Sequence, residues 1–138
     1  MTLPTAKQEP ITLLSGVTLT GAYSGNVSAT QVSNSENQLT LFVSYTMDAG
    51  ETSNSIEVKV EFSPDGTTWF QETSKSISSG TMTHSLAEHT FASTGAGNED
   101  NFVVNTNANY QYFRVSAKET GIASTGGVAT IKSVISFI

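Results

Sequence analysis

The chain has 138 residues, the length of one domain, and carries 12 acidic against 6 basic residues for a net charge of −6. This balance argues against nucleic acids and anionic membranes as partners, because both are bound mainly through clustered Lys and Arg. Cysteine is absent, which excludes disulfides, Cys-ligated metals and a thiol nucleophile. Ser and Thr make up 39 residues, and 7 Phe, 4 Tyr and 1 Trp accompany them. Such a composition favours β-sheet.

The first ten residues predict an extended arm. Pro4 and Pro10 hold the residues before them in extended conformations, and Leu3 is one of the few apolar side chains. We therefore expect an arm over 1–10 and a single domain over 11–138. No apolar run typical of a secretory signal is present in this segment, so we expect synthesis in the cytoplasm.

Alternating apolar and polar residues, separated by turn residues, predict about eight or nine strands and no convincing helix. A polar stretch over 24–37 is expected to form a long loop or an edge strand. The segment 84–91 fits either a strand or one helical turn. The other expected strands are 11–14, 17–23, 39–47, 55–62, 68–72, 77–82, 102–104, 110–118 and 128–137. The fold class is therefore all-β, an antiparallel β-sandwich or jelly roll.

The clearest strands are 39–47 and 55–62. In the first, Leu39, Leu41, Val43 and Tyr45 share one face, and Phe42 on the other face breaks the pattern. We interpret Phe42 as a candidate interface residue, together with Leu3, Pro4 and Pro10 of the arm.

The expected core combines these strands with the strand over 110–118. Tyr112 and Val115 are both candidates there, yet a regular strand cannot turn both inward. The full expected core is Leu41, Val43, Val58, Val60, Phe62, Tyr112 and Val115, with Trp69 covering one end.

Few residues suggest catalysis or metal binding. His84 and His89 lie five apart, a spacing that places them on opposite faces of a strand. Residues 98–100 form an acidic turn without the spacing of an EF-hand. Glu57 and Glu61 lie on the polar face of one strand, as in an ordinary soluble surface. We therefore assign no catalytic, metal or cofactor-binding residue and expect a protein that is not an enzyme.

The segment Ser63-Pro64-Asp65-Gly66 predicts a tight turn, with Gly66 at positive φ and Trp69 covering it. The stretch up to Trp69 resembles the Asp-box hairpin of sialidase-type propellers. It lacks one residue between Asp65 and Gly66 and occurs once, so the resemblance implies a stabilised turn and no sialidase activity.

A broader pattern runs from Val58 to Phe70 (VKVEFSPDGTTWF) and continues at Tyr110 to Val115 (YQYFRV). This pattern resembles small β-sandwich virion proteins of tailed bacteriophages, most of all head decoration (cement) proteins. The resemblance implies a homo-oligomer, commonly a trimer, that binds the major capsid protein on the outer capsid surface and stabilises the head. Neck or tail components are included in the same resemblance. Carbohydrate-binding β-sandwich modules share the composition and are the alternative.

Overall fold

A computed structural model describes residues 10–24, 30–31, 38–107 and 111–136 of the chain. The strands are β1 (Ile11–Thr18), β2 (Thr30–Gln31), β3 (Gln38–Thr46), β4 (Ser55–Ser63), β5 (Phe70–Gln71), β6 (Thr73–Ser78), β7 (Thr81–Leu86), β8 (His89–Ala92), β9 (Glu99–Asn107), β10 (Tyr112–Thr120) and β11 (Val128–Ser136). No helix occurs among these residues, and therefore none that could cross a membrane. The prediction of an all-β fold is confirmed.

Two antiparallel sheets form the sandwich. Sheet one has the order β1-β11-β3-β9, and sheet two has the order β2-β10-β4-β5, with β8 also paired to β4. The strands β6 and β7 form a separate two-stranded hairpin. The expectation of a β-sandwich thus agrees with the structure, while a jelly-roll connection stays a prediction.

One hydrophobic core lies between the sheets, because each long strand turns alternate side chains inward. The predicted inward face of β3 is correct: Leu39, Leu41 and Tyr45 are fully buried, and Val43 is 1% exposed. From β10, the inward side chains are Phe113, Val115 and Ala117. The inclusion of Tyr112 in the core was wrong, since Tyr112 lies on the opposite, outward face and is half-buried.

The edge strand β1 is irregular. The strand β11 pairs with β3 in unbroken register, while the β1–β11 register shifts twice, between Thr12 and Leu14 and between Leu14 and Val17. The first shift lets two consecutive residues, Leu13 and Leu14, both become buried, at 6% and 5% exposure. Residues 11–18 therefore form one bulged strand, where the sequence predicted two strands over 11–14 and 17–23.

The expected strand over 77–82 was wrong because a tight turn divides it. Ser79 and Gly80 have φ values of 50° and 78°, the left-handed pair that closes a two-residue hairpin. The flanking residues are the strands β6 and β7, which pair with each other from Thr73–Leu86 to Ser78–Thr81. A Ser-Gly dipeptide is the sequence signal that indicates such a turn.

Candidate binding surfaces

The β6–β7 hairpin is the most exposed part of the described chain. All twelve of its strand residues are exposed. Because directly paired residues point to the same side, the register assigns each side chain to a face. One face carries only hydroxyl groups, from Ser74, Ser76, Ser78, Thr81, Thr83 and Ser85.

The opposite face of this hairpin is apolar and basic. Ile77 is 70% exposed, Met82 opposite it is 50% exposed, and Leu86 near the root is 64% exposed. Lys75 and His84 form a cross-strand pair on the same face. The hairpin contains no acidic residue, although the chain as a whole is strongly acidic. We call this face the hairpin apolar face.

Glu72 fixes the root of the hairpin to both sheets. Its Oε1 lies 2.8 Å from His89 Nε2 on β8, and its Oε2 accepts a hydrogen bond from the Thr106 hydroxyl on β9. Its backbone N–H donates to the Val60 carbonyl at 3.0 Å, and its carbonyl accepts from Ala87 N–H at 2.8 Å. Burial acts to raise the pKa of Glu72, but the hydrogen bonds from His89 and Thr106 outweigh it and lower the pKa below 4.5. A charged carboxylate therefore anchors the root of the hairpin.

A groove of about 610 Å³ opens beside this root, at one end of the sandwich. Phe62 and Phe70 are paired across β4 and β5, so both point to the core side, but Phe70 lies beyond the core and is 59% exposed. The groove thus has an aromatic surface, with the Lys75 ammonium and the His84 imidazole on one wall. Its lining includes Phe62, Pro64, Phe70, Lys75, His84 and Thr106.

The turn after β4 has the geometry that its sequence indicates. The Ser63 hydroxyl accepts from the backbone N–H groups of Asp65 and Gly66, at 3.2 and 2.8 Å, and donates to Asp65 Oδ1 at 2.9 Å. The same Oδ1 accepts from Thr67 and Thr68 N–H at 2.8 and 2.9 Å, which strongly lowers the pKa of Asp65. Gly66 has φ of 82°, as predicted. These contacts stabilise a turn, and Pro64 at its tip is exposed.

Trp69 does not form part of a row of exposed rings. The Arg114 guanidinium lies over its ring, 4.3 Å from the centroid, and is bound to Glu61 at 3.3 Å. Phe70, the next residue, points to the other side of sheet two. The expectation that Trp69 covers one end of the core was therefore wrong. Its ring lies on the outer face of sheet two, against Arg114.

The outer face of sheet two is a ladder of opposite charges. Beyond Glu61–Arg114, Glu57 pairs with Lys118 at 3.4 Å. The Tyr23 ring lies 4.4 Å from Lys59 Nζ and 4.8 Å from Lys118 Nζ. Burial, with the carboxylates of Glu88 and Glu57, raises the pKa of Tyr23 to about 12. Glu57 and Glu61 are thus engaged by cations on a solvated surface.

Carboxylates inside the sandwich are also engaged. Glu119, 1% exposed, accepts from the Tyr45 hydroxyl and from Gly127 N–H at 2.8 Å. Burial and the hydrogen bond to Glu119 strongly raise the pKa of Tyr45. Glu51 accepts from Ala123 N–H at 2.6 Å, which lowers its pKa. These groups hold loops at one end of the sandwich.

The candidate metal ligands lie apart. His84 is exposed on the hairpin, and His89 contacts Glu72. In the acidic turn, Asp100 is 7% exposed and accepts from the Thr94 hydroxyl at 2.6 Å, while Glu99 points to the outside. Within the described ranges, no three His, Cys, Asp or Glu side chains are grouped to hold a metal ion.

The four candidate interface residues have different outcomes. Leu3 and Pro4 lie outside the described residues, so the arm stays a prediction. Pro10 is exposed at the start of β1. Phe42 is 45% exposed on the outer face of sheet one. The sequence does not predict the hairpin apolar face, because Ile77 and Met82 were assigned to one strand over 77–82 without the turn at Ser79 and Gly80.

No known protein family, curated protein or solved structure matches this chain. Its function is therefore argued from its own surfaces.

Proposed function

We propose that the protein is a non-enzymatic structural component of a virion, a head decoration (cement) protein of a tailed bacteriophage. In this role it binds the major capsid protein on the outer capsid surface, assembles with itself and stabilises the head. The resemblance of the segments 58–70 and 110–115 supplies the class of protein. The observation that carries the attachment role is the hairpin apolar face.

The hairpin suits attachment because it exposes apolar surface on a rigid base. A two-stranded ribbon is marginally stable in water, and a partner that covers one face adds to its stability. Ile77 and Met82 offer the anchor side chains, and single exposed hydrophobic residues are common whereas a grouped set marks a contact surface. Lys75 and His84 on the same face favour an acidic partner surface.

Attachment at many equivalent positions requires only modest affinity at each contact. Bivalent or higher assemblies raise the overall affinity without a larger individual interface, provided that all binding sites can be reached together. A small hairpin contact therefore suffices for a protein that binds a capsid as an oligomer.

The test uses particles of the phage whose genome encodes the chain. Density-purified particles are analysed by mass spectrometry for peptides of the protein, and stripped heads are then incubated with purified protein and sedimented. We expect the protein in the particles in stoichiometric amounts, rebinding to the heads, and a higher temperature of head disruption. Particles without the protein, or heads that neither bind it nor gain stability, would refute the proposal.

A matched pair of variants tests the hairpin. Ile77→Ser with Met82→Ser removes the anchors of the apolar face, and we expect head binding at least tenfold weaker, or about 1.4 kcal/mol per contact. Ser76→Ala with Thr83→Ala changes the hydroxyl face of the same hairpin and should retain binding. Equal binding by both variants would remove the apolar face from the mechanism.

A carbohydrate-binding module is the second candidate, and the groove favours it. Phe70 presents an exposed ring there, next to polar side chains that include Gln71 and Asn107. Glycan-array binding that is lost in Phe70→Ala and retained in the Ile77→Ser, Met82→Ser variant would support this alternative over attachment to a capsid.

A further inference from the structure

The two outer faces of the sandwich differ sharply in charge. On sheet two, five of the ten outward residues of β4 and β10 are charged, and all five form ion pairs. On sheet one, the outward residues of β3, β9 and β11 include Lys132 and Glu99 as the charged side chains, and Glu99 lies at the end of its strand. Interface cores are depleted in charge and enriched in aromatic residues. We call this surface the sheet-one outer face.

Phe42 occupies the centre of this face. It is the fifth of the nine residues of β3, and β3 has a neighbour on each side. Opposite it lie Val103 on β9, 53% exposed, and Lys132 on β11. An aromatic anchor at the middle of a patch is typical of the residues that dominate binding energy.

Two hydroxyl groups beside Phe42 are already paired within the chain. The Ser44 hydroxyl donates to Asn101 Oδ1 at 2.6 Å, and the Thr40 hydroxyl donates to Asn105 Oδ1 at 2.9 Å. These two cross-strand pairs flank Phe42 and Val103 on either side. Hydroxyl groups that keep a hydrogen-bond partner lose less free energy on desolvation. This part of the face can therefore be covered at modest free-energy cost.

A depression of about 220 Å³ lies directly beside Phe42, between β3 and β9. Ser44, Asn101 and Val103 contribute to its lining. A cavity of about 150 Å³ accommodates a benzene ring, so the depression can receive a Phe side chain. The face therefore carries a projecting ring and, next to it, a recess for such a ring.

We propose that the sheet-one outer face binds the same face of a second copy, with each Phe42 seated in the depression beside the Phe42 of its partner. A twofold interface requires one self-complementary patch, which an adjacent ring and recess provide. The inference rests on the self-assembly in the proposed function and names its surface; it gives a dimer, whereas the resemblance implies an oligomer that is commonly a trimer.

The available area is sufficient for a stable pair. Nine residues of strand span about 30 Å, and the four strands of sheet one, including the uncharged edge strand β1, span about 19 Å, so the face measures roughly 570 Å² in projection. Two such faces together bury more than about 1,000 Å², the size expected of a specific interface. The near absence of charge on β3, β9 and β11 also matters, because two copies of a chain with net charge −6 repel each other wherever acidic surfaces meet.

The position of Lys132 selects the orientation. A twofold axis perpendicular to the strands through Phe42 would place Lys132 against Lys132 of the second copy. An axis along the direction of β3, displaced slightly toward β9, seats each Phe42 beside its counterpart and brings Lys132 near Val103 of the second copy, since β9 and β11 flank β3 on opposite sides. The axis along β3 is therefore favoured, because it avoids like charges at close range.

The test measures mass by light scattering and dissociation by sedimentation equilibrium, on the intact chain without capsids. We expect a mass twice the 14.6 kDa of one chain. Phe42→Glu should weaken the pair by roughly 30-fold or more, the loss expected of a central anchor. Ala92→Glu introduces the same charge at an exposed strand residue next to Ser55, on the opposite side of the sandwich, and should leave the dissociation constant unchanged. A monomeric or trimeric wild-type protein would overturn the proposal, as would equal dissociation constants for Phe42→Glu and wild type.

A second pair of variants tests the orientation and does not depend on Phe42. Val103→Lys places a cation opposite Lys132 of the second copy, whereas Val103→Glu places an anion there. We expect Val103→Lys to weaken the pair at least tenfold more than Val103→Glu. Equal effects would overturn the axis along β3. Circular dichroism of all variants establishes that each is folded.

Failure of this inference is distinguishable from failure of the proposed function. A protein that is monomeric in solution and yet binds heads would refute the sheet-one interface and retain the decoration role. A wild-type protein that is a dimer, becomes monomeric in Phe42→Glu and never binds heads would support the interface and refute the decoration role.

Discussion

The hydrogen bond between Tyr45 and Glu119 permits a quantitative test of the interior. Both residues are buried, and the Tyr45 hydroxyl and Gly127 N–H are the two donors to this carboxylate among the described residues. Tyr45→Phe removes one donor and leaves a buried carboxylate oxygen without its partner. A hydrogen bond to a charged group contributes about 1.5–3 kcal/mol, so we expect a loss of about 2 kcal/mol in the free energy of unfolding. For a domain of this length that lowers Tm by about 8 °C.

The assay is urea denaturation at neutral pH, followed by circular dichroism, with the slope m compared between variants. Tyr112→Phe is the matched control, because Tyr112 is half-buried and its hydroxyl has no hydrogen-bond partner among the described residues; it should change the free energy by less than about 0.5 kcal/mol. A double-mutant cycle with Glu119→Gln should give a coupling of about 1 kcal/mol or more.

The same bond predicts an alkaline effect with a defined sign. The pKa of Tyr45 is raised above its ordinary value of 10.0 in the folded state. Its contribution to stability is therefore fully present below pH 10.0 and is lost as the pH rises further. The difference between wild type and Tyr45→Phe should narrow above pH 10. A Tyr45→Phe protein as stable as wild type at neutral pH would refute the buried ion–phenol contact.

Four further predictions address the turn, the core, the hairpin root and the arm. Gly66→Val should cost on the order of 1–2 kcal/mol, because a β-branched residue is strained at φ of 82°; an unchanged Tm would contradict this turn. Phe62→Ala should cost about 3 kcal/mol, since the ring is 7% exposed, and a loss under about 1 kcal/mol would contradict its inward placement. Glu72 has a pKa lowered from 4.5, so its contribution is present above pH 4.5 and is lost as the pH falls; Glu72→Gln should show a smaller decrease in Tm below pH 4.5 than wild type, and identical acid profiles would contradict the anchor. Deletion of residues 2–9 should leave Tm nearly unchanged and weaken head binding at least tenfold; equal head occupancy would exclude the arm from attachment.

The sequence predicts the parts of the fold that depend on short-range patterns. The alternation in β4 gives its inward face correctly, because a period of two residues is a local property of the strand. The turn at Gly66 is likewise predictable, since Pro-Asp-Gly specifies its backbone geometry and the Asp65 carboxylate satisfies nearby N–H groups.

The hairpin and the bulge were harder to predict. The strands β6 and β7 have no alternation against a core, because their residues are exposed on both faces. Two adjacent buried residues, Leu13 and Leu14, look like the end of a strand when read without the partner strand. The two register shifts that allow both side chains inside are visible only in the pairing of β1 with β11.

The proposed interface shows why the sequence alone does not identify this surface. The sequence marks Phe42 as an exposed aromatic residue on a strand, and an isolated exposed ring has no special meaning. Its significance comes from Val103 and Lys132, which are distant in sequence and become its direct neighbours through the order β11-β3-β9. The same order leaves Glu99 at the end of β9 and places the paired charges on the other sheet. A chain with net charge −6 thereby retains one broad face of low charge with an aromatic side chain at its centre, and this is the surface that we propose for a second copy.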